Sequence, residues 1–178
     1  MKKNKRNFKS KLHLASSKDD LRETMQKIIF ENGYVITTDA HVLVKQKLSA
    51  HGFSEEEVKH LEGKSLNRET FAEILRYDWI EVIEGFIIAV KGKIKVQFEL
   101  DLKGSYPRYE QIIPTEGNEC EINEIGFDLN LMKLVNDVTL SDSGLMKTKF
   151  YGKNKPIILS GTEFKEGEEL ILLMPINL

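Results

Sequence analysis

Asn32-Gly33 separates two runs of β-forming residues, 24–31 and 34–37. Asn-Gly is the strongest short signal for a two-residue hairpin, because both central residues of a type I′ turn take positive φ. The chain then turns again at Asp39-Ala40. Residues 41–48 return with an alternation that puts Val42 and Val44 on one face and Leu43 and Lys45 on the other. Residues 24–48 therefore read as an antiparallel meander of three strands, and residues 11–15 as a short strand before it.

Downstream, Ser54 is an N-cap and Glu57 completes a capping box for a short helix over 54–61. Asn67 opens a second helix, 68–77, with Phe71, Ile74 and Leu75 at helical spacing. Short strands follow at 79–83, 86–90 and 94–102, joined by turns at Glu84-Gly85 and Lys91-Gly92-Lys93. Residues 104–114 form a two-proline connector that still carries apolar residues and is expected to pack down. A strand at 124–127, an Asp128-capped helix at 129–136 and strands at 145–151, 156–160 and 169–174 complete the chain. Residues 64–102 and 122–174 thus share one unit, strand–helix–three strands, and 11–48 looks like the same unit without its helix. The layout is α+β: repeated β-α-β-β-β units, antiparallel sheets and helices on one face.

The chain end is unusual. Ends commonly fray into polar tails, yet residues 170–173 read as a buried strand, Pro175 stops it, and Ile176 and Leu178 continue apolar. They are expected to lie along a surface groove. The other end is basic: Lys2, Lys3, Lys5, Arg6, Lys9, Lys11 and Lys18 occur with no acid in the first 18 residues, so a net charge of −2 leaves −9 on the rest. Residues 1–10 read as a flexible basic leader, compatible with phosphate contact on an otherwise acidic body. No apolar run approaches the ~20 residues a membrane span needs. Cys120 is the sole cysteine, which excludes an internal disulfide and fits a reducing cytoplasm.

Enzyme signatures are missing. The chain has no phosphate-binding G-x-x-x-x-G-K-S/T, no G-x-G-x-x-G, no H-E-x-x-H and no nucleophile elbow. His51 and His60 flank Glu55, Glu56 and Glu57, but the spacing suits no zinc pattern, and His13 and His41 stand apart from them. Cys120 has no evident histidine partner. The expectation is a non-enzyme without metal or cofactor.

Three stretches carry a different signal: Ile36-Thr37-Thr38-Asp39-Ala40-His41-Val42-Leu43, Tyr106-Pro107-Arg108-Tyr109-Glu110-Gln111-Ile112-Ile113-Pro114, and Leu173-Met174-Pro175-Ile176-Asn177-Leu178. In this order they resemble signatures of the bacterial sliding clamp, the DNA polymerase III beta subunit: Thr-Asp-Gly-His-Arg-Leu, Tyr/Phe-Pro-Asp-Tyr with an apolar-Pro pair, and a terminal Met-Pro-x-Arg-Leu. The resemblance spans most of 24–178, and clamp domains are built from the same β-α-β-β-β unit. On that division, 11–114 hold units one and two, and 115–178 hold a third with the C-terminal pocket strand.

The resemblance implies a processivity factor of DNA replication that encircles double-stranded DNA as a homo-oligomer. It also implies a pocket for the short Gln-Leu-x-Leu-Phe-like tails of a DNA polymerase or clamp loader. Carried over by position, one pocket wall is Thr38, Ala40, His41, Val42 and Leu43, and a second is Pro107, Gln111 and Ile112. The third is Leu172, Leu173, Met174, Pro175, Ile176 and Leu178. DNA contact would fall to Lys2, Lys3, Lys5, Arg6, Lys9, Lys11, Arg68, Arg76 and Lys133. Several positions depart from the family: Ala40 replaces its Gly, Val42 its Arg, Arg108 its Asp, and Gln111 and Asn177 stand where arginines are common. The pocket should therefore be greasier than the usual one. Three units where a clamp protomer has six suit a phage or mobile element, and leave a second reading open: a monomeric adaptor or decoy that keeps the pocket and never encircles DNA.

Overall fold

The computed structural model describes residues 6–176, and within it the Asn-Gly turn forms as expected. Asn32 and Gly33 take φ of 54° and 78°, joining β1 (Lys27–Glu31) to β2 (Tyr34–Thr38), and β3 (Val42–Lys47) completes the meander. After it come α1 (Glu55–Leu61), β4 (Lys64–Asn67) and α2 (Arg68–Ile74). Both halves of the capping box are made, Ser54 N–H donating to Glu57 at 2.9 Å and Glu57 N–H to Ser54 Oγ at 3.4 Å. Next are β5 (Trp79–Ile83), β6 (Phe86–Lys91), β7 (Ile94–Glu99), the two-residue β8 (Asp101–Leu102), α3 (Leu129–Val138), β9 (Met146–Lys149), β10 (Ile157–Gly161) and β11 (Glu169–Leu173).

The strands form two antiparallel sheets, one of eight in the order β8-β4-β1-β2-β3-β11-β10-β9 and one of three, β5-β6-β7. Successive residues on a strand face opposite ways, so the larger sheet has two apolar faces. Ile28, Phe30, Val35, Val42, Val44, Ile171 and Leu173 point into the main core beneath the helices, joined by Ile80, Val82, Ile87 and Ala89 of the smaller sheet. Ile29, Ile36, Leu43 and Leu172 point to the outer face, where Tyr106, Tyr109, Ile113 and Met174 cover them. The connector does pack down. The α+β class with antiparallel sheets is as expected.

Five segments differ from the sequence expectation, one being the strand expected at 94–102, which ends at Glu99 in the smaller sheet while Asp101–Leu102 pairs with β4 in the larger. Residues 11–15 are not a strand: Leu12–Ala15 is a single 3-10 turn whose Leu12 and Ala15 are buried. It packs against α2 and α3. Thr24, Met25 and Gln26 end a 3-10 segment, Asp20–Gln26, rather than starting β1. The strand expected at 124–127 shrinks to one bridge, Gly126 with Ile176, because no neighbouring strand runs beside the rest of it. The supposed leader is part of the core from Arg6 onward. Phe8 is buried 4.7 Å (ring centroids) from Phe71, and Asn7 caps α2 by donating to the carbonyls of Ile74 and Tyr77 at 2.8 and 2.9 Å.

The β2–β3 turn holds one strained residue. Asp39 Oδ1 accepts from the N–H groups of His41 and Val42, both at 2.8 Å, which forces Ala40 to φ 79°. The left-handed region disfavours any residue with a Cβ by roughly 1–2 kcal/mol. Ala40→Gly should therefore stabilise the protein by about 1 kcal/mol after the added flexibility of the unfolded chain is counted. The check is a higher urea midpoint at unchanged m-value.

His51 is fully buried beside Phe8 and Phe53, and its Nδ1 accepts from Lys9 N–H at 3.1 Å. Burial, with the Lys9 ammonium adding to it, pushes the imidazole down to about 3. In the unfolded chain it titrates near ~6.5. Between these values the unfolded state binds the extra proton, so stability falls as pH falls, by about 1.4 kcal/mol per pH unit. Unfolding from pH 7 to pH 5 should show that loss, and His51→Asn, which keeps an acceptor for Lys9 N–H, should flatten it.

Candidate peptide-binding site

The site is built on the outer face of the eight-stranded sheet. β11 pairs with β3 so that Leu172 stands opposite Leu43 and Leu173 opposite Val42, and Met174 N–H donates to the His41 carbonyl at 2.9 Å. Leu43 and Leu172, with Ile29 and Ile36, form an apolar floor on which the connector lies. Pro107 bends the connector into a 3-10 turn, Tyr109–Ile112. Tyr109 is buried, and its hydroxyl donates to Glu31 at 3.4 Å. Glu31 also pairs with Lys103. Lys45 lies 4.4 Å from the Tyr34 ring centroid, so the rim is held by cation–π as well as ionic contact. Burial pushes the phenols of Tyr106 and Tyr109 up, leaving both neutral hydrogen-bond donors.

Anchored this way, the connector leaves a cavity of about 490 Å³ beside it, lined by Gln111, Ile112, Ile113 and Pro114 of the connector together with Tyr151, Asn154, Lys155, Pro156 and Met174. A second hollow of about 350 Å³ adjoins it through Ile113, Pro114 and Tyr151 and runs over Ile158 and Leu170. Its charged end is internally neutralised: Lys149 stands 3.6 Å from Glu119 and 3.2 Å from Glu166.

The three motif stretches are brought together here, but their residues do different things. Gln111, Ile112 and Met174 line the larger cavity, whereas Leu43 and Leu172 are buried under the connector and line neither hollow. Val42 and Leu173 face the opposite way, into the main core. Thr38 is buried in the turn, its Oγ1 donating to the Val42 carbonyl at 2.7 Å and accepting from Ala40 N–H at 3.1 Å. Ala40 and His41 are exposed on that turn, and Pro107 and Pro175 are half-buried. Ile176 is exposed and bridges to Gly126. Leu178 lies outside the described residues. Sequence reasoning does not single out Tyr151, Asn154, Lys155 or Pro156. Pro156 marks the start of β10, but nothing local ties that hairpin to the connector.

The cations assigned to DNA are largely engaged. Arg6 pairs with Glu57 and lies 5.0 Å from the Phe53 centroid. Lys9 donates to the Ala50 carbonyl at 2.6 Å, and Lys11 pairs with Asp137 at 2.7 Å. Arg68 bonds Ser16, the His13 carbonyl and Glu69, while Arg76 pairs with Glu73 at 3.0 Å. Lys133 is exposed on α3, and Lys2, Lys3 and Lys5 lie outside the described residues. Among the described residues no cluster of side chains is arranged to hold a metal ion, and no helix is long and apolar enough to cross a membrane.

No family model matches the chain, and no curated protein does. Solved structures do. The beta subunit of Streptococcus pyogenes DNA polymerase superposes with a TM-score of 0.64 at 13% identity, over 96% of this chain and 63% of that one. DNA polymerase III subunit beta of Borrelia burgdorferi, solved with a natural product, gives 0.64 at 14% identity, over 94% and 59%. The Helicobacter pylori beta clamp bound to a DNA ligase peptide gives 0.60 at 13% identity, over 94% and 62%. At this identity the likeness is one of architecture: the chain has the fold of the bacterial DNA polymerase III beta sliding clamp, across about three fifths of such a protein's length.

Proposed function

We propose that this protein is a non-enzymatic, clamp-fold accessory factor of DNA replication that docks a short linear peptide of a polymerase or clamp loader. The observation that carries the reading is the cavity of about 490 Å³, at which Gln111 and Ile112 of the connector meet Met174 of the chain end. Its chemistry suits such a ligand. Apolar anchors fill concave apolar sites and dominate binding, and Ile112, Ile113, Pro156 and Met174 offer that surface. Gln111, Asn154 and Lys155 at the rim can hydrogen-bond peptide backbone or an acidic side chain. The H. pylori clamp, of the same fold, carries a ligase peptide.

Contact with DNA is the weaker component of this reading, since Arg6, Lys11, Arg68 and Arg76 already pair with carboxylates. The helix layer would rely on Lys133 and on the residues before Arg6. Strong salt dependence would identify such binding.

The test is a fluorescence-anisotropy titration of a labelled Gln-Leu-x-Leu-Phe peptide against the full chain. Saturable binding is expected, weakened at least tenfold by Ile112→Glu, which changes a side chain that is already 46% exposed and so leaves the fold intact. A folded protein that shows no saturation at high micromolar concentration, or an Ile112→Glu variant that binds as well as wild type, would remove the pocket from the account.

A further inference from the structure

The edges of the smaller sheet differ. On the β5 side, Ile80 N–H donates to the Arg6 carbonyl at 2.7 Å, so the N-terminal segment covers that edge. On the β7 side no described strand pairs. Lys91 and Ile94 close the two-residue β6–β7 turn, and the register runs without a bulge to Phe86–Glu99. Hydrogen-bonded and non-bonded pairs alternate along an antiparallel ladder, and a two-residue turn makes its flanking pair a bonded one. Ile94, Val96 and Phe98 therefore bond inward to β6, a series that Leu100 N–H continues by donating to the Gly85 carbonyl at 2.9 Å. Lys95, Gln97 and Glu99 direct their backbone groups outward, and their side chains are exposed.

Open edges are aggregation hazards that proteins blunt with bulges, prolines or charged side chains. β7 has no proline and no bulge, and its charges are of both signs in a particular order. The outward-facing residues of β7 read Lys95, Gln97, Glu99, which inverts in sign about Gln97. We propose that β7 pairs antiparallel with β7 of a second copy of this chain, on a two-fold axis through Gln97.

In that register Lys95 stands opposite Glu99 of the second copy and Glu99 opposite its Lys95. On the other face Val96 meets Phe98 of the second copy. Directly opposed unlike charges favour a sheet pairing and like charges oppose it. Sliding by two residues in either direction loses both ion pairs, and a parallel arrangement sets Lys95 beside Lys95 and Glu99 beside Glu99. One register of one orientation is therefore selected. The pairing joins the two small sheets into a continuous sheet of six strands. An isologous contact of this kind is closed on itself, so it yields a dimer carrying two outer-face cavities rather than a ring. A strand-to-strand contact is small among stable interfaces, and the affinity expected is micromolar.

This inference is independent of the peptide reading, because β7 and the cavity belong to different sheets. Sedimentation velocity of the full chain across a concentration series tests it. Wild type should move from one to two copies in the micromolar range. Lys95→Glu and Glu99→Lys should each remain monomeric, with dimerisation weakened at least tenfold, because each sets like charges opposite one another. An equimolar mixture of the two variants should dimerise again, since opposite charges then meet at both positions. Both substitutions are at exposed positions, and circular dichroism confirms that the variants fold. A wild type that stays monomeric at hundreds of micromolar, dimerisation insensitive to the single charge reversals, or failure of the mixture to recover would each overturn the proposal.

Discussion

The carboxylate of Glu169 is fully enclosed, and much of the molecule is arranged to satisfy it. It accepts from Gln46 Nε2 at 2.9 Å, Thr139 Oγ1 at 3.0 Å, Leu140 N–H at 2.6 Å and Gly161 N–H at 2.8 Å. Gln46 in turn donates to the Val138 carbonyl at 2.7 Å and accepts from Ser10 at 2.7 Å. A buried charge without partners is strongly unfavourable, so these donors must be in place together. They come from β3, the end of α3 and β10, with Ser10, before Leu12, bracing Gln46. One residue thus ties the last third of the chain to the first at the seam where β11 meets β3.

The cavity depends on that seam. Without β11 against β3, Leu172 would not adjoin Leu43, the connector would lose its floor, and Met174 would not reach Ile112. The outer face of the sheet is consequently a second, smaller core rather than a solvated surface. Its aromatic cover, Tyr106 and Tyr109, keeps the connector close enough to form a wall. The same architecture keeps the helix layer compact: Lys11 and Asp137 link the Leu12–Ala15 turn to α3, and Arg68 links α2 to the same turn through Ser16 and the His13 carbonyl. Those ion pairs hold helices together, which is why cations that look available in the sequence are engaged in the fold.

Much of this is legible in the order of residues alone. Asn32-Gly33 sets a hairpin because positive φ at two successive positions suits few other dipeptides. Ser54 and Glu57 close a capping box within one turn of chain. The 42–44 alternation sorts Val42 and Val44 from Leu43 correctly, and the ordered motifs point to the clamp architecture that the structural likeness supports. Residues 11–15 read as a strand and fold as a turn, because Leu12 and Ala15, three apart, suit a helical turn only once α2 and α3 flank them. The site suffers from the same limit. A run such as 172–175 looks uniformly apolar, yet Leu172 and Leu173 serve opposite faces.

The sequence by itself determined the local events: the turns, the caps, the strand alternation and the repeated order of elements. Each depends on φ, ψ and hydrogen bonds within a few residues. Only the tertiary structure decided which strands meet, that Gln46, Thr139 and Leu140 satisfy Glu169, and that Tyr151 and Pro156 line one cavity with Ile112. These contacts join residues tens to more than a hundred positions apart, and burial of one shared apolar sheet, not any local preference, selects among them.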